Sequence, residues 1–141
     1  MPFKLLSFLA LILICTAART QPVDWQKTRH WMIYNYFNFK ALSLPFDSIK
    51  GYKTVSLDDD YLRGMLAGAD TMRGVTKNIM WMGLFTLSYQ LDNETRKVEV
   101  SQYGGFFYDD KSKRYYQVDK EVQDEWLSYF ENLDLSPFNT P

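Results

Sequence analysis

The chain has 141 residues, with 16 Lys or Arg and 17 Asp or Glu, giving a formal net charge of −1. It contains no basic block or stripe, which argues against nucleic acid or an anionic membrane as the main partner. Its only cysteine is Cys15, so the chain after residue 20 has none, and disulfide bonds and thiol catalysis are excluded there.

Residues 1–20 have the layout of a secretory signal peptide. Lys4 precedes a mainly apolar run at residues 5–14, and the small residues 16–18 follow. The run is short for a membrane span, so we expect cleavage, a mature start near Gln21 and no stable membrane anchor afterwards. This predicts an exported protein, periplasmic or secreted, and the missing cysteines favour a bacterial source.

The first element of the mature chain is predicted to be a helix over residues 24–40, with Asp24 as its cap. Its apolar stripe follows helical spacing and consists of Trp25, Met32, Tyr36 and Phe39. Pro45 ends this region, and residues 52–56 predict a short strand.

A second helix is predicted from the three carboxylates of Asp58, Asp59 and Asp60, which suit a first turn because the helix dipole favours negative charge there. Its apolar face consists of Tyr61, Leu62, Met65, Leu66, Ala69 and Met72. Arg73 and Gly74 fit the last turn and the residue that follows it.

Apolar residues alternate over residues 79–91, which predicts a strand, with a turn at 92–95 and a returning strand at 96–108. Residues 114–118 predict a third strand. Asp119 then caps a final helix, whose apolar face is Val122, Trp126, Tyr129, Phe130 and Leu133. We expect one domain over residues 21–133 and a frayed tail at 134–141.

These elements predict an α+β fold of order α-β-α-β-β-β-α, with helices packed on a curved antiparallel sheet of three to four strands. That outline is similar to the cystatin-like and nuclear-transport-factor-like folds. The resemblance implies a bent sheet that wraps a helix and leaves a cone-shaped cavity. It concerns architecture alone and does not fix a function.

The hairpin supplies the first candidate site. A four-residue loop would place Leu91 opposite Arg96 and Gly83 opposite Gly104, which leaves a dent in the core face of the sheet. Such a dent either receives a crossing helix or forms the floor of a ligand pocket. The candidate ligand-binding residues are Trp81, Gly83, Phe85, Gln102, Gly104 and Phe106.

The other face of the hairpin supplies the second candidate. It is either an exposed patch that binds a protein or the seat of a helix, because Met and aromatic side chains suit both. The candidate partner-binding residues are Met80, Met82, Leu84, Tyr103 and Phe107.

Residues suited to catalysis are sparse. The single histidine, His30, has no acidic or serine partner at a recognisable spacing, and no cofactor motif is present. The carboxylates at 58–60 suit a helix start, and Asp109 and Asp110 suit a turn, so no metal site is predicted. We therefore expect a non-catalytic binding module that recognises a protein partner, as an inhibitor or accessory factor. The alternative is a hydrolytic domain, or one that binds a small apolar ligand, over Gly83 and Gly104; the oligomeric state stays open.

Overall fold

A computed structural model of the chain describes residues 21–36, 45–71, 83–101 and 104–141, which form a seven-stranded antiparallel sheet and two α-helices. The strands are β1 (Arg29–Tyr34), β2 (Thr54–Ser56), β3 (Asp70–Thr71), β4 (Gly83–Leu91), β5 (Glu94–Ser101), β6 (Phe106–Asp109) and β7 (Arg114–Gln117). The helices are α1 (Asp59–Leu66) and α2 (Gln123–Glu131). The spatial order of the strands is β2-β1-β4-β5-β6-β7-β3.

This architecture corrects the predicted fold class. A sheet of three to four strands covered by helices is wrong, because the described residues form seven strands and two helices in a sheet-rich fold. The outline similar to the cystatin-like and nuclear-transport-factor-like folds is part of that prediction and is wrong as well. The error has a physical source: aromatic residues are frequent enough in this chain to satisfy a helical stripe by chance.

The predicted first helix is the largest single correction. Trp25–Lys27 form only a 3-10 turn, and β1 follows it directly. Trp31 and Ile33 are buried at alternate positions, as the two-residue period of a strand requires. Aromatic and β-branched side chains favour that conformation because they pack well on a pleated surface. The end of the predicted helix lies outside the described residues.

Both later helices begin close to where the sequence places them. Asp58 is the N-cap of α1, and its carboxylate accepts a hydrogen bond from the backbone N–H of Tyr61. Helix α1 ends at Leu66, earlier than predicted. In α2, Trp126 and Phe130 are buried, which confirms its apolar face. No helix in the described part of the chain has the length and apolar character needed to cross a membrane.

The β4–β5 hairpin has a shorter turn than predicted. Asp92 and Asn93 alone form it, with φ of 52° and 61°, and Leu91 faces Glu94. Pairing is therefore displaced by two residues, which changes the partners but leaves the side chains of β4 and β5 on their predicted faces. The predicted strand at 96–108 is divided into β5 and β6 by a turn that contains Gly104 and Gly105, both with positive φ.

One face of the sheet, called here the core face, packs against α2 and the N-terminal segment. Its buried aromatic cluster consists of Trp25, Trp31, Tyr89, Phe107, Tyr116, Trp126 and Phe130. The Trp25 ring lies 5.0–6.3 Å from four of these rings. The C-terminal tail, predicted to be frayed, contains a 3-10 turn at Ser136–Asn139, and Leu135 and Phe138 pack against the core.

Candidate functional site

The opposite face of the sheet, called here the second face, carries a group of buried polar side chains. They alternate along β4 and β5 with the apolar residues of the core face, and Tyr34 joins them from β1. This polar row consists of Tyr34, Thr86, Ser88, Lys97 and Glu99. Lys97 and Glu99 are each only 1% exposed. Lysine and glutamate are rarely buried to this extent unless they are paired.

The polar row is linked by direct contacts. Lys97 Nζ lies 3.5 Å from Glu99 Oε1, and the Thr86 hydroxyl donates a hydrogen bond of 2.8 Å to Glu99 Oε2. The hydroxyls of Tyr34 and Ser88 are 3.0 Å apart and share a hydrogen bond. Glu99 Oε1 accepts no hydrogen bond within the described residues. The ion pair with Lys97 is therefore the contact that the described residues provide for this oxygen.

The electrostatics of Glu99 follow from this burial. Loss of solvent raises the pKa of its carboxyl to about 7, although the Thr86 hydrogen bond and the Lys97 ammonium both act to lower it. The nearby charge of Asp110 adds a smaller upward effect. Glu99 thus titrates close to neutral pH, and perturbed groups of this kind are frequent at binding and catalytic sites.

An open cleft lies beside the polar row, on the surface of the paired strands β1 and β4. Its volume is about 380 Å³, and its lining residues are His30, Met32, Tyr34, Phe46, Ser88, Gln90 and Thr95. Tyr34 and Ser88 belong to both the cleft and the polar row. All five polar residues in this lining carry hydrogen-bonding groups, and none is an aspartate, glutamate, lysine or arginine. The cleft therefore offers imidazole, hydroxyl and amide groups beside the apolar side chains of Met32 and Phe46.

His30 reaches the cleft because β1 contains a bulge. Arg29 faces Gln90 and Met32 faces Ser88, so two residues of β1, His30 and Trp31, stand opposite one residue of β4. His30 has φ of 53°, a left-handed conformation that is uncommon for a residue with a side chain. Bulges of this kind often re-aim a side chain next to a functional site.

The structure describes four of the six predicted ligand-binding residues. Trp81 and Gln102 lie outside the described residues. Gly83 pairs with Ser101 and not with Gly104, which lies in a turn with the Phe106 ring packed against its Cα. Phe85 contacts Phe130 of α2, with ring centroids 5.4 Å apart. The predicted dent between Gly83 and Gly104 is not formed, because these two glycines do not face each other.

Two of the five predicted partner-binding residues lie in the described part of the chain. Met80, Met82 and Tyr103 lie outside the described residues, and Leu84 has its backbone in β4. Phe107 is 0% exposed, because the pairing of β6 with β5 turns it to the core face, where it stacks on Tyr116 at 5.3 Å. Phe107 therefore contributes to the core and not to an exposed patch.

A separate cavity of about 340 Å³ lies at the N-terminal segment, and its lining includes three cations, Lys27, Arg96 and Lys111. Lys27 is paired with Asp24 at 3.1 Å. Arg96 and Lys111 share Glu94 at 3.4 Å and 2.7 Å. These positive charges are compensated within the protein, so this cavity has less capacity to attract a charged ligand than its cations suggest.

The sequence contains a signal for the polar row, but strand periodicity alone does not reveal it. Thr86 and Ser88 alternate on one strand, and Lys97 and Glu99 alternate on the next, all on the predicted non-core face. Such residues normally face solvent, so the pattern indicates cross-strand pairing on a half-exposed surface. Their burial depends on tertiary packing, which the alternation does not encode.

Neither metal ligation nor similarity to a known protein identifies the site. The described residues contain no group of three or more His, Cys, Asp or Glu that could hold a metal ion. The chain matches no protein-family model, no curated protein and no solved structure. The chemistry of the cleft therefore rests on its own residues.

Proposed function

We propose that this chain is an exported, non-catalytic binding module whose second-face cleft binds a small organic molecule. The export part of the proposal rests on the signal-peptide layout of residues 1–20. The binding part rests on one observation, a buried polar row that adjoins an open cleft. Such a combination of an accessible concavity and convergent polar groups is the usual form of a small-molecule site.

The energetic cost of the polar row supports this assignment. Burying a lysine and a glutamate removes both charges from water, and replacing such a pair by apolar residues is often neutral or stabilising. A chain that needed only stability would be served as well by apolar side chains at Lys97 and Glu99. Lys97 and Glu99 do not line the cleft themselves. They adjoin Tyr34 and Ser88, which do, and polar groups of that kind fix the orientation of a ligand.

The hydrogen bonds of the cleft favour binding over catalysis. The hydroxyl of Ser88 is hydrogen-bonded to the Tyr34 hydroxyl, which is a phenol and not an imidazole or a carboxylate. Nucleophilic catalysis by serine requires a base within hydrogen-bonding distance, oriented by a third group. Ser88 and Tyr34 are arranged to donate and accept hydrogen bonds, which suits recognition.

A protein partner is the second candidate, in line with the sequence-based expectation. Tyr52 and Tyr61 are the large hydrophobic side chains that the described residues expose, at 47% and 39%. The Tyr61 ring lies 4.9 Å from that of Tyr129, so two aromatic residues stand together at this point. Tyrosine is enriched at protein interfaces, so these exposed residues support a role as an inhibitor or accessory factor that binds a protein.

Native mass spectrometry of the chain recovered from an extract of its own host separates the two candidates. A small ligand gives an adduct of a few hundred daltons, which the variant Thr95→Trp loses because the indole obstructs the exposed rim of the cleft. Glu131→Trp, at an exposed position on α2, is the matched control and keeps the adduct. A protein-sized adduct that Thr95→Trp retains contradicts the small-molecule proposal and supports the partner.

A further inference from the structure

We infer that His30 is the specificity-determining residue of the cleft and that the ligand is a neutral, hydroxyl-rich molecule of the carbohydrate type. This inference rests on the proposed function and adds to it a ligand class and a residue that selects it. It follows from two features of the described residues: the way His30 is held and the chemistry of the cleft lining.

The first feature is a clamp on the bulge. Both carboxylate oxygens of Asp59 accept backbone hydrogen bonds from β1, one from the N–H of His30 at 2.8 Å and one from the N–H of Trp31 at 2.9 Å. Asp59 is the first residue of α1, next to the cap Asp58, so the start of this helix fixes its position. The clamp thus joins a helix to the strained residue of a strand.

The clamp accounts for how a strained conformation persists. A left-handed residue with a side chain is unfavourable in isolation and survives only when its surroundings over-determine it. Here the two N–H groups released by the bulge are satisfied by a charged acceptor, which forms stronger hydrogen bonds than a neutral one. Such strain is found mainly at ligand-binding and active sites, and at His30 it presents an imidazole to the cleft.

The second feature is that the described lining of the cleft contains no aspartate, glutamate, lysine or arginine. A ligand with a carboxylate, phosphate or ammonium group would find none of these side chains there as a counter-ion. The nearest buried charges, Lys97 and Glu99, are 3.5 Å apart and compensate each other. A charged ligand would therefore lose its hydration without gaining a counter-ion.

The polar groups that remain match a polyol. His30, Ser88, Gln90 and Thr95 supply donors and acceptors of the kind that hydroxyl groups satisfy in pairs. Phe46 supplies an apolar surface for the C–H face of a sugar ring. The cleft volume of about 380 Å³ lies at the lower end of the range for small-molecule sites, which suits one or two sugar rings.

The test uses the fact that His30 is the only histidine of the chain, so its ring gives a single set of NMR signals. The probes are maltose and N-acetylglucosamine as neutral ligands and glucuronic acid as the charged counterpart. We expect at least one neutral probe to shift the His30 ring signals and to bind at least about tenfold more tightly than glucuronic acid. His30→Ala removes the imidazole and leaves the ligand hydroxyl that it binds without a hydrogen bond. The affinity for that probe should therefore fall by about tenfold or more.

The role of the clamp is tested by two neighbouring carboxylates. Asp59→Asn should shift the His30 ring signals in the absence of ligand and weaken binding, because an amide accepts fewer and weaker hydrogen bonds. Asp60→Asn is the control, since the Asp60 side chain is exposed to solvent and forms no hydrogen bond to His30 or Trp31, and it should change neither. If His30→Ala is poorly folded, His30→Gly replaces it, because glycine adopts a positive φ without strain and should lose binding while folding normally.

The outcomes separate this inference from the proposed function. Equal binding by His30→Gly and the unsubstituted chain overturns the role of His30 and leaves the cleft as a binding site. Preference for glucuronic acid, or no binding of either neutral probe, overturns the ligand class. In that case, a small adduct in the native mass spectra that Thr95→Trp loses would still support the proposed function. If no such adduct is found, both the proposed function and this inference are contradicted.

Discussion

The buried carboxyl of Glu99 gives the sharpest quantitative prediction. Its pKa is about 7 in the folded protein, compared with an ordinary value of 4.5. Between these two pH values the carboxyl is therefore protonated in the folded protein and ionised in the unfolded chain. Stability that depends on this proton is fully present below pH 4.5 and is lost as the pH rises through about 7. At ~1.4 kcal/mol for each pKa unit, the loss is about 3 kcal/mol across that window.

The substitution Glu99→Gln replaces the carboxyl with a neutral group of the same shape. We expect it to match the unsubstituted protein near pH 4.5 and to exceed its free energy of unfolding by up to about 3 kcal/mol near pH 8. Urea unfolding followed by tryptophan fluorescence measures both curves. Glu121→Gln is the control, because Glu121 is exposed and should leave the pH dependence unchanged.

Two results would refute this reasoning. If the Glu99→Gln variant had the same pH dependence as the unsubstituted chain, the titration would belong to another group. If the variant were less stable near pH 8, the ionised Lys97–Glu99 pair would have a net benefit over a neutral side chain, which contradicts the cost assigned to its burial.

Three further substitutions test the packing. Trp25→Ala should lower the free energy of unfolding by about 3–5 kcal/mol, because Trp25 contacts four rings of the core; a loss below about 1 kcal/mol in urea unfolding would place it outside the core. Lys97→Met should become more destabilising by up to about 1 kcal/mol between pH 5 and pH 8, because Glu99 loses its cation and must keep its proton in the folded variant; a pH-independent cost would contradict this. Gly105→Ala should lower the thermal midpoint, because φ is +69° and a Cβ would lie 2.5 Å from the Val118 side chain; an unchanged midpoint would show that the turn relaxes.

The parts of the fold that the sequence predicts well are those governed by local chemistry. The helix start at residues 58–60 and the apolar face around Trp126 depend on residues within one or two helical turns, and both are confirmed, with Asp58 as the cap and not in the first turn. The strand at 83–91 is set by its own alternation. Each of these signals lies within a dozen residues, so tertiary context has little to override.

The first helix fails for a reason specific to this chain. Trp25, Met32 and Tyr36 fit a helical stripe, but Trp31 and Ile33 fit a strand equally well, and only pairing with β2 and β4 decides between them. The bulge at His30 hides the strand further, because it breaks the alternation where β1 begins. Its clamp comes from Asp59, almost thirty residues later in the chain.

The candidate site is inaccessible from sequence for a related reason. Its residues come from β1, β4 and β5, and each has an ordinary explanation in isolation: a surface histidine, a strand serine, a paired lysine and glutamate. Only the sheet order, which places β4 between β1 and β5, brings them together. The predicted dent at Gly83 and Gly104 depends on a register that a two-residue turn displaces.

The most direct test of the central claim is a crystal structure of the protein isolated from its own host without added ligand. The account predicts density for a small neutral molecule in the cleft on the surface of β1 and β4, within hydrogen-bonding distance of Ser88 and Gln90 and in contact with His30. A cleft that contains only water, together with a ligand or a partner chain bound at another surface, would contradict it.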